Sequence, residues 1–251
     1  EIHIEIPADM DKSRMHSIRN HIAKAMEKLE TEDFQLEELH IAGEKCAALR
    51  VPQIVITAAG ETDQKERIAD ALLTARAGQD IVYAGWAGLE GMLRIIGEKE
   101  AELRARFTPA FIGQMKAYDS ELCGLSKIAV ADAMGVSVIR QVSRGGILAS
   151  LWDLAKDTEL GLNLDLKKIA VRQETIEVCE HFRLNPYQLA SGGSFLMLSE
   201  NGEALADTLN QKGIQAAVIG QLTDSNDKVI HNGEDMRYID RPAPDELMKI
   251  F

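Results

Sequence analysis

The sequence predicts an α/β (α+β) protein of two domains: a shortened β-α-β-β first domain, and a second domain whose mixed sheet is covered by helices. Three observations predict it. Runs of strand type, alternating or continuously apolar and rich in β-branched residues, recur along the whole chain. Between them lie segments with apolar residues at helical spacing. Glycines punctuate the joints, and Gly78 marks the boundary between a domain over 1–78 and one over 79–251.

The elements follow in order. Ile2 to Pro7 alternates with period two and reads as a half-buried strand. Asp9 or Asp11 caps a helix carrying Met15, Ile18, Ile22, Ala25, Met26 and Leu29 on one face. Leu39–Gly43 and Val51–Gly60 are strands, and 64–77 is an amphipathic helix stopped by Gly78. Ile81–Trp86 is a buried strand, followed by the small-residue turn AGLEG and a long helix toward Phe107; Pro109 starts another helix. A short helical piece over 129–134 precedes the strand 136–142, after which Gly145 and Gly146 open the helix ILASLWDLA. LNLDL is a strand, RQETIEVCEHF a helix turning Ile176, Cys179 and Phe182 inward, and NPYQLA a short helix begun by Pro186. SFLMLS is a buried strand, GEALADTLNQKG a helix ended by Gly213, AAVIGQL a strand, and KVIHNGEDMRYI a hairpin with an Asn232-Gly233 type I′ turn.

Composition bounds the function. The 251 residues, 45% hydrophobic and 27% charged, suffice for a real core. A net charge of -12 with no basic run argues against a nucleic-acid partner. No apolar stretch approaches the ~20 residues that cross a bilayer, and no signal-peptide pattern opens the chain, so a cytoplasmic location is expected. Cys46, Cys123 and Cys179 form neither a disulfide framework nor a CxxC pair and read as buried thiols. His16 and His21 are spaced i, i+5, which does not place both on one helix face, so no metal site is assigned there. The chain opens on a strand at Glu1 rather than on Met, which points to residues upstream.

Four segments stand out together: AGQDIVYAGWAGLEG, SRGGILASLWDLA, LDLKKIAVRQETIEVCEHFRLNPYQLASGG and AAVIGQLTD. In order and spacing they resemble the C-terminal half of the aminoimidazole-ribonucleotide-synthetase superfamily, which includes selenophosphate synthetase and thiamine-monophosphate kinase. Within it they most resemble the hydrogenase-maturation carbamoyl dehydratase. The resemblance covers about two thirds of the chain and implies a mixed-sheet second domain. It also implies a homodimer formed through first-domain strands, and ATP with Mg²⁺ as cofactors if the protein is active. Its chemistry needs carboxylates for the hard cation, and glycines at a helix start for the phosphates.

By that resemblance Ser143, Arg144, Gly145 and Gly146 correspond to the T-R-G-G segment, a ligand- or phosphate-binding turn. Gly192 and Gly193 stand where the hydrogenase-maturation relative has a glycine near the domain cleft, and are further candidates for ligand or phosphate binding. Glu44, followed by Lys45 where the family has an aspartate-threonine or histidine-threonine pair, is the candidate metal ligand. The departures are equally definite. Gln141 replaces an aspartate two positions before the hydroxyl, no G-D-D-A type segment or GxxxxGK[ST] motif is present, and the chain ends in Phe251 instead of the acceptor cysteine. The expectation is a divergent relative with an incomplete ATP site, acting by ligand binding or as a scaffold for a maturation partner. The alternative is an active ATP-dependent maturation enzyme that phosphorylates or dehydrates a small amide or carbamoyl group.

Overall fold

A computed structural model describes residues 2–7, 10–27, 41–46, 53–57, 71–136 and 138–251. The chain forms two compact units, Glu1–Gln64 and Lys65–Phe251.

In the first unit β1 (Ile2–Pro7) lies between β2 (Ile41–Cys46), to which it is parallel, and β3 (Gln53–Ile56), to which it is antiparallel. The alternation of β1 buries Ile2 and Ile4 against Met15, Ile18, Ile22 and Met26 of α1 (Lys12–Glu27), so one strand face and one helix face make the small core. Asp11 is the cap, its carboxylate accepting the Arg14 amide at 2.7 Å. Leu29 lies outside the described residues.

The second unit is built on a mixed sheet of seven strands, ordered β10-β9-β6-β8-β4-β7-β5. These are β4 (Asp80–Ala84), β5 (Val138–Val142), β6 (Gly161–Asp165), β7 (Ser194–Ser199), β8 (Ala216–Thr223), β9 (Lys228–Asn232) and β10 (Asp235–Tyr238). All pairs are antiparallel except β6 with β9. Central β4 and β7 read as continuous apolar runs because both their faces are covered. Ile81 and Tyr83 of β4 face Ile147, Leu151 and Leu154 of α5 (Gly146–Thr158). Val82 and Ala84 face the other layer, where α4 (Leu125–Ala133) supplies Val130 and α7 (Gly202–Gln211) supplies Leu205 and Leu209. A further cluster joins α2 (Leu89–Leu103), α3 (Pro109–Lys116) and α6 (Gln173–Phe182) around Met92, Ile95, Met115 and Val178.

Five expectations need correction. Of the helix over 64–77, residues 64–70 lie outside the described residues, and Ala71–Thr74 is a short 3₁₀ turn. The piece at 129–134 is the end of α4, which starts at Leu125. Gly124 precedes that helix without a side-chain cap, and the ring of Phe195 lies where a Cβ on Gly124 would sit, so a tertiary contact selects the start. In α6 the inward residues are Thr175, Val178 and Cys179, and Ile176 is only half-buried. Cys123 is exposed while Cys179 is buried. The hairpin pairs Asn232 with Asp235, so its two-residue loop is Gly233-Glu234. Gly233 alone among the turn residues has positive φ, +71°, which is the type II′ arrangement. No helix among the described residues is long and apolar enough to cross a membrane.

Candidate functional site

The glycine turn sits where β5 ends at buried Val142 and α5 begins. Ser143 and Arg144 are exposed, and their side chains make no hydrogen bond or ion pair among the described residues. Gly145 and Gly146 follow at φ +76° and +66°, two successive left-handed residues that only glycine adopts without strain. A Cβ on Gly146 would lie 2.8 Å from the Leu189 carbonyl oxygen and closer still to that of Tyr187. The turn therefore lets the head of α5 abut the 185–189 segment, backbone against backbone.

Helix heads present unpaired amides and a positive dipole end, which favours an anion. Here the anion belongs to the chain. The Gly145 amide donates to Asp245 Oδ2 at 2.7 Å, and Asp245 Oδ1 accepts the Leu247 amide at 2.9 Å. A cavity of about 240 Å³ opens beside this bond, bordered by Gly145, Asn185, Gln188, Arg237 and Asp240.

Ser191, fully buried, fastens the turn to two others. Its amide donates to the Ser143 carbonyl at 3.3 Å; its hydroxyl accepts the Gly88 amide at 2.7 Å and donates to the Leu189 carbonyl at 2.8 Å. Ser194 Oγ donates to the Ser191 carbonyl at 2.6 Å and accepts the Tyr83 hydroxyl at 3.1 Å. Burial pushes the Tyr83 phenol above its ordinary range, against the opposing effect of the Ser194 bond. The structure thus brings Ser143–Gly146 and Gly192–Gly193 to one end of the sheet. The Gly192 amide donates to Glu90 Oε2 at 2.9 Å, and Gly193, at φ +81°, packs directly on the Leu122 backbone. Gly193 thus has a packing reason to be glycine, whereas a Cβ at Gly192 would meet only the flexible Glu90 side chain, nearest at its carboxylate.

Glu44 lies on β2 opposite Glu5, in the other unit, and its side chain is outside the described residues. At the glycine turn Asp240, on the cavity wall, and Asp245 are the nearby carboxylates. Gln141 offers only an amide, and each Asp245 oxygen already accepts an amide hydrogen. Among the described residues, no group of three His, Cys, Asp or Glu is placed to hold a metal.

Sequence reading missed a second cluster at the same sheet end. The Arg172 guanidinium is sandwiched between Trp86, at 4.2 Å, and Tyr118, at 3.9 Å, and pairs with Glu121. It borders a cavity of about 480 Å³ that exposed Cys123 and buried Lys127 also line. The Lys127 ammonium donates to the carbonyls of Glu121 and Cys123 at 3.0 and 3.3 Å; burial lowers its pKa, and the Glu121 charge opposes that. Asp245 was missed as well, although an aspartate opening a helical turn is a cap signal, here for the 3₁₀ turn Glu246–Lys249. Its partner 100 positions away leaves no local trace.

The comparisons agree with this architecture. Residues 76–232 match the family model for the AIR synthase related protein, C-terminal domain. A protein of Methanocaldococcus jannaschii named for hydrogenase expression and formation is 21% identical over 236 residues, covering 91% of this chain and 68% of that protein. Carbamoyl dehydratase HypE of Rhizobium leguminosarum is 25% identical over 153 residues, 59% of this chain and 41% of that protein. The chain thus spans about two fifths of that dehydratase's length. Among solved structures, E. coli HypE, a hydrogenase maturation protein, superposes with a TM-score of 0.71 at 15% identity over 100% of this chain and 75% of that one. HypE in complex with ATP gives 0.64 at 15%, over 97% and 73%. A HypE-HypF complex gives 0.66 at 17%, over 96% and 76%. At such identities the structures share the fold with this chain. The family match, running over more than half of the sequence, is decisive: the chain belongs to the AIR synthase related proteins.

Proposed function

We propose that the chain is a divergent, hydrogenase-maturation-factor-like member of its family, with an incomplete ATP site, that acts by binding a ligand or as a scaffold. The observation that carries this reading is the Gly145–Asp245 bond. The anion position at the head of α5, where a phosphate would be held, is filled by the chain's own carboxylate. Gln141 in place of a metal-binding aspartate supports it. The same reading takes 1–78 and 79–251 as the two domains of the family, with a homodimer formed through the first, a cytoplasmic location, and a maturation partner. The partner is suggested by the solved HypE-HypF complex.

A second reading has its own support. The Ser143 hydroxyl and Arg144 guanidinium are exposed and unpaired beside the turn, as phosphate ligands would be, and a fold relative has been solved with ATP. On this reading Glu44, Ser143 and the start of α5 serve an ATP-dependent enzyme acting on a small amide or carbamoyl group. Phosphate release from ATP, followed on the wild-type chain and on Ser143→Ala, separates the two. The first reading expects no release above the buffer rate in either protein; turnover by the wild type that Ser143→Ala abolishes would establish the second.

A further inference from the structure

The outer edge of β10 is a self-complementary strand, and we propose that two copies of this chain join through it, β10 against β10, in an antiparallel seam about a twofold axis at Met236. Among the described residues, strand order places β10 at the end of the sheet, bonded on one side only, to β9. Its hydrogen-bonding parity is fixed. The hairpin closes on the Asn232–Asp235 pair, and the Ile239 amide donates to the Lys228 carbonyl at 2.8 Å. Residues 235, 237 and 239 therefore turn their backbone groups toward β9, and Met236 and Tyr238 turn theirs outward. Both outward residues are large and exposed, Met236 at 61% and Tyr238 at 60%.

Parity, charge and strand length together select one register; an axis at Tyr238 would set Met236 and Asp235 opposite Asp240 and Arg241, beyond the strand's end. A symmetric seam needs outward groups facing outward groups, so the axis passes through a residue and not between two. With the axis at Arg237 the two guanidiniums would face each other, and with the axis at Asp235 the two carboxylates would. With the axis at Met236, the Met236 pair exchanges both backbone hydrogen bonds. Asp235 of each copy then faces Arg237 of the other in a non-hydrogen-bonded pair, where side chains approach most closely. Neither Asp235 nor Arg237 has an ion-pair partner among the described residues of its own chain. The charges that would repel other registers thus hold this one, and the exposed edge is covered by its own copy. Four residues a side is a short seam beside a standard interface of about 800 Å² per partner, so the association is weak and depends on concentration.

Sedimentation equilibrium of the full chain over a wide concentration range tests it with three variants. Arg237→Asp and Asp235→Arg each place like charges opposite one another and should weaken this association about tenfold or more. The double swap Asp235→Arg with Arg237→Asp restores opposite charges and should recover it. In a Cys123→Ser background, Met236→Cys under mild oxidation should yield a disulfide-linked dimer that the background chain does not form. This readout is blind to any dimer made through first-domain strands. Unchanged association in both single variants, failure of the double swap to recover what they lose, or no linkage through Cys at 236, would overturn the proposal. So would β10 proving to be occupied by a strand of a different protein.

Discussion

The amide of Gly145 donates to the carboxylate of Asp245 at 2.7 Å, so a residue in the last turn of the chain caps the helix that follows the glycine turn. One side chain serves two amides, those of Gly145 and Leu247, and ties the C-terminal segment to the head of α5. Asp245→Ala leaves both donors without an acceptor and is expected to cost about 1–2 kcal/mol. Asp245→Asn should lose less, because its single amide oxygen still accepts one of the two hydrogens. Midpoints of urea denaturation at unchanged slope measure both.

Gly146 and Gly78 separate steric demand from backbone strain. Both have positive φ, but a Cβ at Gly146 runs into the carbonyls of Tyr187 and Leu189, while a Cβ at Gly78 meets nothing within 4 Å. Gly78→Ala should cost about 1 kcal/mol, the strain of the left-handed region alone. Gly146→Ala should cost about 3 kcal/mol or more. Equal losses in denaturation would show that the 185–189 segment yields freely.

Arg172 is held by two rings and a carboxylate, an arrangement that suits a planar guanidinium. Arg172→Lys keeps the charge but loses the stacking, and is expected to destabilise by about 1–2 kcal/mol. In a double-mutant cycle with Glu121→Gln, most of the Arg172→Lys loss should persist, because the stacking does not depend on Glu121. A cycle in which the loss vanishes would assign the effect to the ion pair.

The thiols differ in reactivity. Burial, and to a lesser degree the Glu246 charge, pushes the Cys179 thiol up to about 12, so it stays protonated and inert at pH 8, whereas exposed Cys123 is open to reagent. In a Cys46→Ala chain, a thiol reagent should label one cysteine per folded chain and two after unfolding. Because the folded thiol has the higher pKa, its contribution to stability is fully present below about 9 and falls as pH rises toward about 12. Cys179→Ala should flatten that part of the pH–stability curve.

Much of the second unit could be read from sequence where local signals are strong. The apolar run of β4, the paired glycines before α5 and Gly213 after α7 each carry their own cause, a covered face or a required left-handed residue. The start of α4 could not be read, because Phe195 lies against Gly124 in place of a side-chain cap. The hairpin was legible as a hairpin, but the glycine occupies the first loop position, which changes the turn type. At the candidate site the turn residues were visible and their partners were not. Asp245, Ser191 and the Trp86–Arg172–Tyr118 stack are assembled by the fold from distant positions, and periodicity carries no information about such contacts.

The filled anion position at Gly145 is the centre of the functional account, and calorimetric titration of the wild-type chain with a non-hydrolysable ATP analogue, with and without Mg²⁺, tests it most directly. The account predicts no saturable heat up to about 1 mM nucleotide, a limit near −4 kcal/mol of binding. Micromolar, Mg²⁺-dependent binding that is lost in Ser143→Ala would contradict it and assign the turn to a working nucleotide site.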